Sequence, residues 1–248
     1  MTAAVTAAIL VIGDEILSGR TKDRNIGYIA EYLAKIGIDL REARIVPDIE
    51  AEIVAAVNAL RARYTYLFTT GGIGPTHDDI TADCIAKAFG VPIGEDPRAV
   101  AMLRERYQPE DLNPARLRMA RIPAGADLID NPISKAPGFR LGNVIVMAGV
   151  PAIMQAMLDN VAPGLATGLR MLVATVPAPG LAEGVYAAGL AEVAAAHPAV
   201  SIGSYPAFQG GGFTNQIVLR AREAAALAAA EADVKALLGR LVMDGAPI

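Results

Sequence analysis

Cysteine is nearly absent. Cys84 is the only one in 248 residues, so no disulfide can close within the chain. That fits a reducing compartment, and cytoplasmic residence is the expectation. Cys84 falls among apolar residues of a helical pattern and reads as a buried structural thiol, not a nucleophile. Long basic runs are missing too: 22 Lys and Arg stand against 26 Asp and Glu, a net charge of −4. Nucleic-acid binders usually carry a basic patch, so no nucleic-acid partner is expected. No apolar run is long enough to cross a membrane, and the opening MTAAVTAAILVIG lacks the basic n-region of a signal peptide. A membrane partner is therefore not expected either.

What is present is apolar residue in quantity, 53% against 19% charged. That suits one large domain or two smaller ones with a sizeable core. The apolar surplus is enough to cover an interface as well, and a homo-oligomer is expected. The chain is organised around residues 64–90, YTYLFTTGGIGPTHDDITADCIAKAFG. A β-branched and aromatic run meets Gly71-Gly72-Ile73-Gly74-Pro75, then a helical pattern closed by Gly90. Strand, glycine loop and helix together can hold a phosphate, because glycine lets the backbone come close and the helix start offers free N–H groups. Thr76, His77, Asp78 and Asp79 follow at once. Two carboxylates beside a phosphate make sense if a divalent cation lies between them. The same pattern occurs in α/β proteins with nothing bound, where Thr and Asp only cap the helix.

Residues 8–12 read as a first strand, continuous and apolar as in a sheet covered on both faces. It ends in Gly13-Asp14-Glu15, which delivers further carboxylates to the same sheet edge or forms a solvated turn. Residues 23–36 read as a helix with Ile26, Ile29, Leu33 and Ile36 on one face and Gly37 behind it. Capping accounts for one of Asp23 and Asn25, and a ligand contact for the other. Residues 38–46 are a less apolar strand nearer an edge. Asp48 is an N-cap candidate for the next helix. The order β-α-β-α-β-α implies a parallel sheet between helix layers, whose ligands bind beyond the carboxyl ends of the strands.

Asp96-Pro97 and Asn113-Pro114 open further helices. Their arginines (Arg104, Arg106, Arg116, Arg118 and Arg121) read as solvated, with one or two in reach of a phosphate. Residues 122–139 read as loop or short hairpin, with Ser134 and Lys135 in touch with a ligand or, more simply, at the surface. A third junction follows: a strand over 143–148, then Gly149-Val150-Pro151 and a helix whose methionines fill core. A boundary is expected near 168. It divides a domain over 1–168 from a small α+β domain over 169–248. In the latter, strands over 171–176, 200–205 and 215–219 and helices after Pro179-Gly180 and over 223–241 are expected. The second and third of these strands pair across Gln209-Gly210-Gly211-Gly212. His197 is accounted for by a helix dipole.

These motifs resemble the molybdopterin-binding MoaB/Mog domain. They are closest to the competence/damage-inducible protein A (CinA) family and to the related domain of FAD synthases. The matching residues are Gly13-Asp14-Glu15-Ile16 with Gly19, Asp23 and Asn25; Thr70 through Thr76 with Asp78, Asp79 and Thr81; Ala136-Pro137-Gly138-Phe139; and Gly149-Val150-Pro151. Ser201-Ile202-Gly203-Ser204-Tyr205-Pro206 resembles the small domain that follows. The resemblance implies a three-layer α/β/α, mostly parallel fold and a small α+β domain. It further implies either pyrophosphate cleavage in ADP-ribose or FAD with a divalent metal (Mg, Mn or Co), or molybdopterin as ligand. An aspartate at Asp79 and one at Asp48 serve adenylyl transfer in the molybdenum-cofactor members.

The expected site therefore joins Asp79, Asp78 and His77 as catalytic residues. Gly71, Gly72, Gly74, Thr76, Gly13, Asp48, Gly149 and Pro151 are expected on the substrate, and Asp14, Glu15 and Asp79 on the metal. The alternatives are a nucleotide- or pterin-binding protein without turnover, and a molybdopterin adenylyltransferase. Ala148 and Ile153 depart from the family's Pro-Gly-Val-Pro-x-Glu-Met, and Ile153 removes a carboxylate. Long family members also carry a domain that deamidates nicotinamide mononucleotide. The sequence stops at Ile248, and that activity is not expected.

Overall fold

The computed structural model describes residues 4–209 and 212–243. The chain divides into two compact units, Met1–Gly168 and Leu169–Ile248.

The first unit begins with β1 (Thr6–Ile12), a one-turn α1 (Asp14–Leu17), α2 (Asn25–Lys35), β2 (Asp39–Val46), α3 (Glu50–Arg63), β3 (Tyr66–Thr70) and α4 (Thr81–Phe89). It continues through β4 (Ile93–Glu95), α5 (Pro97–Arg104), α6 (Pro114–Leu117), β5 (Arg121–Pro123), β6 (Asp127–Ile129), β7 (Gly138–Leu141), β8 (Val144–Met147) and α7 (Pro151–Val161). Six strands form one sheet in the order β2-β1-β3-β8-β7-β6. The first four run parallel, and β7 and β6 add antiparallel. This is a mostly parallel α/β/α fold.

The period of two along β1 explains the layers. Ala8, Leu10 and Ile12 pack with Ile53, Val57, Leu60, Cys84 and Ile85 of α3 and α4. Ala7, Ile9 and Val11 pack with Ile29, Leu33, Met154, Met157 and Leu158 of α2 and α7. A strand apolar on both faces must lie inside such a sandwich. Strand β2 carries Arg41, Glu42 and Arg44 and closes the sheet at its edge. Local chemistry sets several helix ends. Asp96 accepts from the Arg98 N–H at 2.8 Å with Pro97 behind it, and Asn113 accepts from Arg116 N–H at 3.0 Å. Gly90 stops α4 in the left-handed region at φ 66°.

Two local expectations change. Asp48 does not cap α3: its cap position is Ile49, with no side-chain bond. Asp48 Oδ2 instead accepts from the Asp14 N–H at 2.9 Å, because β1 and β2 are neighbours and their exit loops meet. Helix α2 is shorter than its apolar pattern, and Asp23 Oδ1 accepts the Ile26 N–H at 2.8 Å. Within residues 122–139 the short hairpin forms: β6 pairs antiparallel with the start of β7 and extends the main sheet.

The second unit holds β9 (Leu172–Pro179), α8 (Glu183–Ala196), β10 (Ser201–Tyr205), β11 (Phe208–Gln209), β12 (Gly212–Ala221) and α9 (Ala224–Met243). It is antiparallel: β12 lies between β9 on one side and β10 and β11 on the other. Val176, Tyr186, Ile217, Leu219, Val234 and Leu238 form its core. Strand β9 runs on through Pro179, which pushes the start of α8 to Glu183. The expected crossing at Gly210 and Gly211 lies outside the described residues. His197 has a side-chain partner: its Nε2 is 2.8 Å from Asp233 Oδ2 of α9.

Among the described residues, no helix is long and apolar enough to cross a membrane.

Candidate functional site

Strands β1, β3 and β8 are adjacent and parallel, so their carboxyl ends meet. The Gly71 N–H donates to Met147 O at 3.2 Å. Gly71 adopts φ 103°, and a Cβ there would overlap the Ile12 carbonyl oxygen. A Cβ on Gly149 would lie 3.3 Å from Gly71 Cα. Only residues without side chains let the three strand ends pack this closely.

From Gly71 the chain bends into a loop braced from within. Thr81 Oγ1 donates to Gly71 O at 2.9 Å, and the Thr81 N–H donates to Gly72 O at 2.9 Å. Asp79 turns back toward the loop: its Oδ2 accepts the Thr76 N–H at 2.8 Å and the Thr76 hydroxyl at 2.5 Å. Gly74 leaves room for that carboxylate, since a Cβ there would sit 2.6 Å from Asp79 Oδ2. Arg118 Nη2 donates to Asp79 O at 3.2 Å, and Arg121 pairs with Asp83, tying the loop and α4 to the segment around β5.

Over this loop lies a cavity of about 610 Å³, within the usual range for small-molecule sites. Gly71, Gly72 and Gly74 form one wall, and Gly149, Val150 and Pro151 another. Helix α7 starts there with no side-chain cap, which leaves first-turn N–H groups for solvent or ligand. Ile73, Met119, Ala136 and Met157 make the lining largely apolar. Its charged members are Glu15, Asp79 and Arg116. The Arg116 guanidinium lies 4.5 Å from the Tyr107 ring centre and donates to Asp111 O at 2.6 Å. Asn131, also on the wall, is buried and holds its loop by donating to Ala136 O at 2.8 Å.

The remaining expected residues lie elsewhere. The His77 side chain is 99% exposed, 3.9 Å from an exposed Asp78, and neither lines the cavity. Thr76 gives its N–H and its hydroxyl to Asp79. Gly13 is covered by the Glu15 carboxylate. Asp48 lies beside Asp14, and its carboxyl is held above the ordinary aspartate range. Burial is the main cause, with repulsion from Asp14, Glu15 and Asp78 added to it. These acids feel one another, yet among the described residues no three His, Cys, Asp or Glu side chains converge as metal ligands. Cys84 is buried, and burial pushes its thiol up to about 12.

Tyr107, Met119 and Asn131 carried no sequence signal for the site. Arg116 was one of five undistinguished arginines, and Ser134 was placed on a ligand or, more simply, at the surface; both line the cavity. The two departures from the family pattern, Ala148 and Ile153, are on its wall as well.

Residues 8–167 match the model of a probable molybdopterin binding domain, and residues 180–245 that of the FAD synthase middle domain. A Thermoplasma acidophilum protein is 36% identical over 156 residues, which cover 61% of each chain. A CinA-like protein of Desulfosudis oleivorans is 36% identical over 209 residues, 79% of this chain and 51% of its own. One from Myxococcus xanthus is 34% identical over 158 residues, 61% of this chain and 38% of its own. The chain thus spans about three fifths, or less, of the length of these relatives. The crystal structure of the protein CinA with unknown function from Thermoplasma acidophilum superposes with a TM-score of 0.62 at 36% identity. It covers 65% of this chain and 98% of that one.

Proposed function

Because the chain belongs to the probable molybdopterin binding domain family and has CinA-like relatives, we propose that its cavity binds a phosphorylated nucleotide or pterin. The reaction we assign to it is cleavage of the pyrophosphate bond of a nucleotide diphosphate such as ADP-ribose or FAD. The observation that carries this reading is the cavity of about 610 Å³ walled by the glycine loop and the uncapped start of α7. Backbone N–H groups and the positive end of a helix suit a phosphate there. Arg116 supplies a cationic side chain to the same wall, and the apolar lining suits a ring system.

Each residue then has a task. Gly71, Gly72 and Gly74 let the ligand approach the backbone. Asp79 shapes the loop through Thr76 and presents its remaining oxygen. Glu15 is the other carboxylate on the wall, suited to take a proton from an attacking water. A divalent cation was part of the sequence-based expectation; with no three such side chains converging among the described residues, it would share its ligands with the phosphates of the bound molecule.

A second reading, ligand binding without turnover, is favoured by Ile153 on the cavity wall and by the unconverged carboxylates. Product analysis separates the two. The protein is incubated with ADP-ribose, FAD and NAD, with Mg²⁺, Mn²⁺, Co²⁺ or no metal. AMP release that is lost in a folded Glu15→Gln variant supports cleavage. Absence of product, with a ligand-induced rise in melting temperature, supports binding alone.

A further inference from the structure

Beside the main cavity lies a smaller compartment of about 70 Å³, between residues 21–25 and the junctions at Gly71 and Gly149. It shares Glu15, Thr21, Gly71, Gly149 and Pro151 with the main cavity, so the two adjoin. Two of its lining side chains are buried and polar: Asn25 is 4% exposed and Thr70 is 1% exposed. Asn25 Nδ2 donates to Gly149 O at 2.8 Å. That leaves Asn25 Oδ1 without a partner, and Thr70 Oγ1 has none either. Buried polar atoms of this kind are rare, because each has given up water for nothing. Two on the wall of one compartment point to a ligand group that satisfies both.

The donor and acceptor inventory selects the group. Asn25 Oδ1 and the Glu15 carboxylate only accept, while the hydroxyls of Thr70 and Thr21 donate or accept. An ionised phosphate would set its lone pairs against these acceptors. The charged residues of the lining, Glu15 and Asp23 against Lys22 and Arg24, balance, which favours neither an anion nor an ammonium. A neutral pair of hydroxyls both donates and accepts. We infer that this compartment takes the cis-diol of a ribose whose phosphate lies on the glycine loop. The site therefore selects ribonucleotides over nucleotides lacking those hydroxyls. The inference rests on the phosphate reading of the main cavity. In a nucleotide, one carbon and one oxygen join ribose to phosphate, which matches two compartments sharing a wall.

The test is calorimetric titration of the full chain with ADP and with 2′,3′-dideoxy-ADP, on the wild type and on Thr70→Val. The wild type is expected to bind the dideoxy nucleotide at least ~10-fold more weakly. Thr70→Val removes an oxygen that has no partner and keeps the side-chain shape. It is expected to melt no lower than the wild type and to narrow the ratio between the two nucleotides. Equal binding of both by the wild type overturns the inference, leaves the compartment to water, and keeps the phosphate reading. Discrimination that survives Thr70→Val undiminished overturns it too, because the diol is then read elsewhere. Failure of the wild type to bind either nucleotide overturns the phosphate reading itself, and this inference with it.

Discussion

Replacing Gly71 with alanine tests how the site is assembled. Gly71 carries φ 103°, and a Cβ there would overlap the Ile12 carbonyl at the end of β1. Two costs follow. A side chain in this backbone region costs about 1–2 kcal/mol. Relieving the overlap requires the ends of β1 and β3 to separate, and overpacking of this kind costs about 1–3 kcal/mol. Together they come to about 3 kcal/mol. For a unit of this size that lowers the melting temperature by about 10 °C. Gly19 supplies the control. Its φ is 73°, but a Cβ there meets nothing within 4 Å, so Gly19→Ala keeps only the backbone cost, about 1 kcal/mol. Differential scanning calorimetry of both variants reads the first unit's transition. Gly71→Ala is expected to lie well below Gly19→Ala and to lose ligand-induced stabilisation. Equal melting temperatures for the two would refute the claim that β1 and β3 are held together at a position where only glycine fits.

Other predictions concern single groups. Asp48 is held above the ordinary aspartate range by burial and then by its acidic neighbours, so its charged form opposes folding. The stability linked to its protonated form is complete below the unfolded value, near 4, and is lost as pH rises through the folded value. Asp48→Asn should therefore raise the melting temperature at pH 7, and the gain should vanish as pH falls below about 4; a gain that grows on acidification would contradict this. Cys84, buried and with its thiol pushed up to about 12, should ignore a thiol reagent at pH 8 in the native state and react fully in denaturant. Rapid native labelling would mean that α4 opens readily.

Much of the first unit was legible because its signals are local. The run over 8–12 is apolar on both faces, so burial between two layers follows from period alone. GGIGP could be placed at a strand end because glycine and proline punctuate the chain. The antiparallel addition of β6 and β7 was harder: each is only three or four residues long, too short to show a period. Asp48 looked like a cap because capping is read from near neighbours. Its partner is Asp14, 34 residues earlier. Tyr107 and Arg116 come to the cavity from a segment beyond α4, and nothing in their own neighbourhood marks that approach. The loop's acids show the same limit. Sequence placed Asp78 and Asp79 side by side, whereas folding leaves Asp78 exposed and turns Asp79 onto Thr76.

The central claim is that a phosphorylated ligand sits where the β3 glycine loop meets the start of α7. Amide chemical shifts during titration with ADP-ribose or FAD test it most directly. The account predicts that the largest changes fall on the amides of Gly71, Gly72, Ile73, Gly74, Gly149 and Ile153. Saturating ligand that leaves these amides unmoved, or that shifts mainly residues of the second unit, would contradict it.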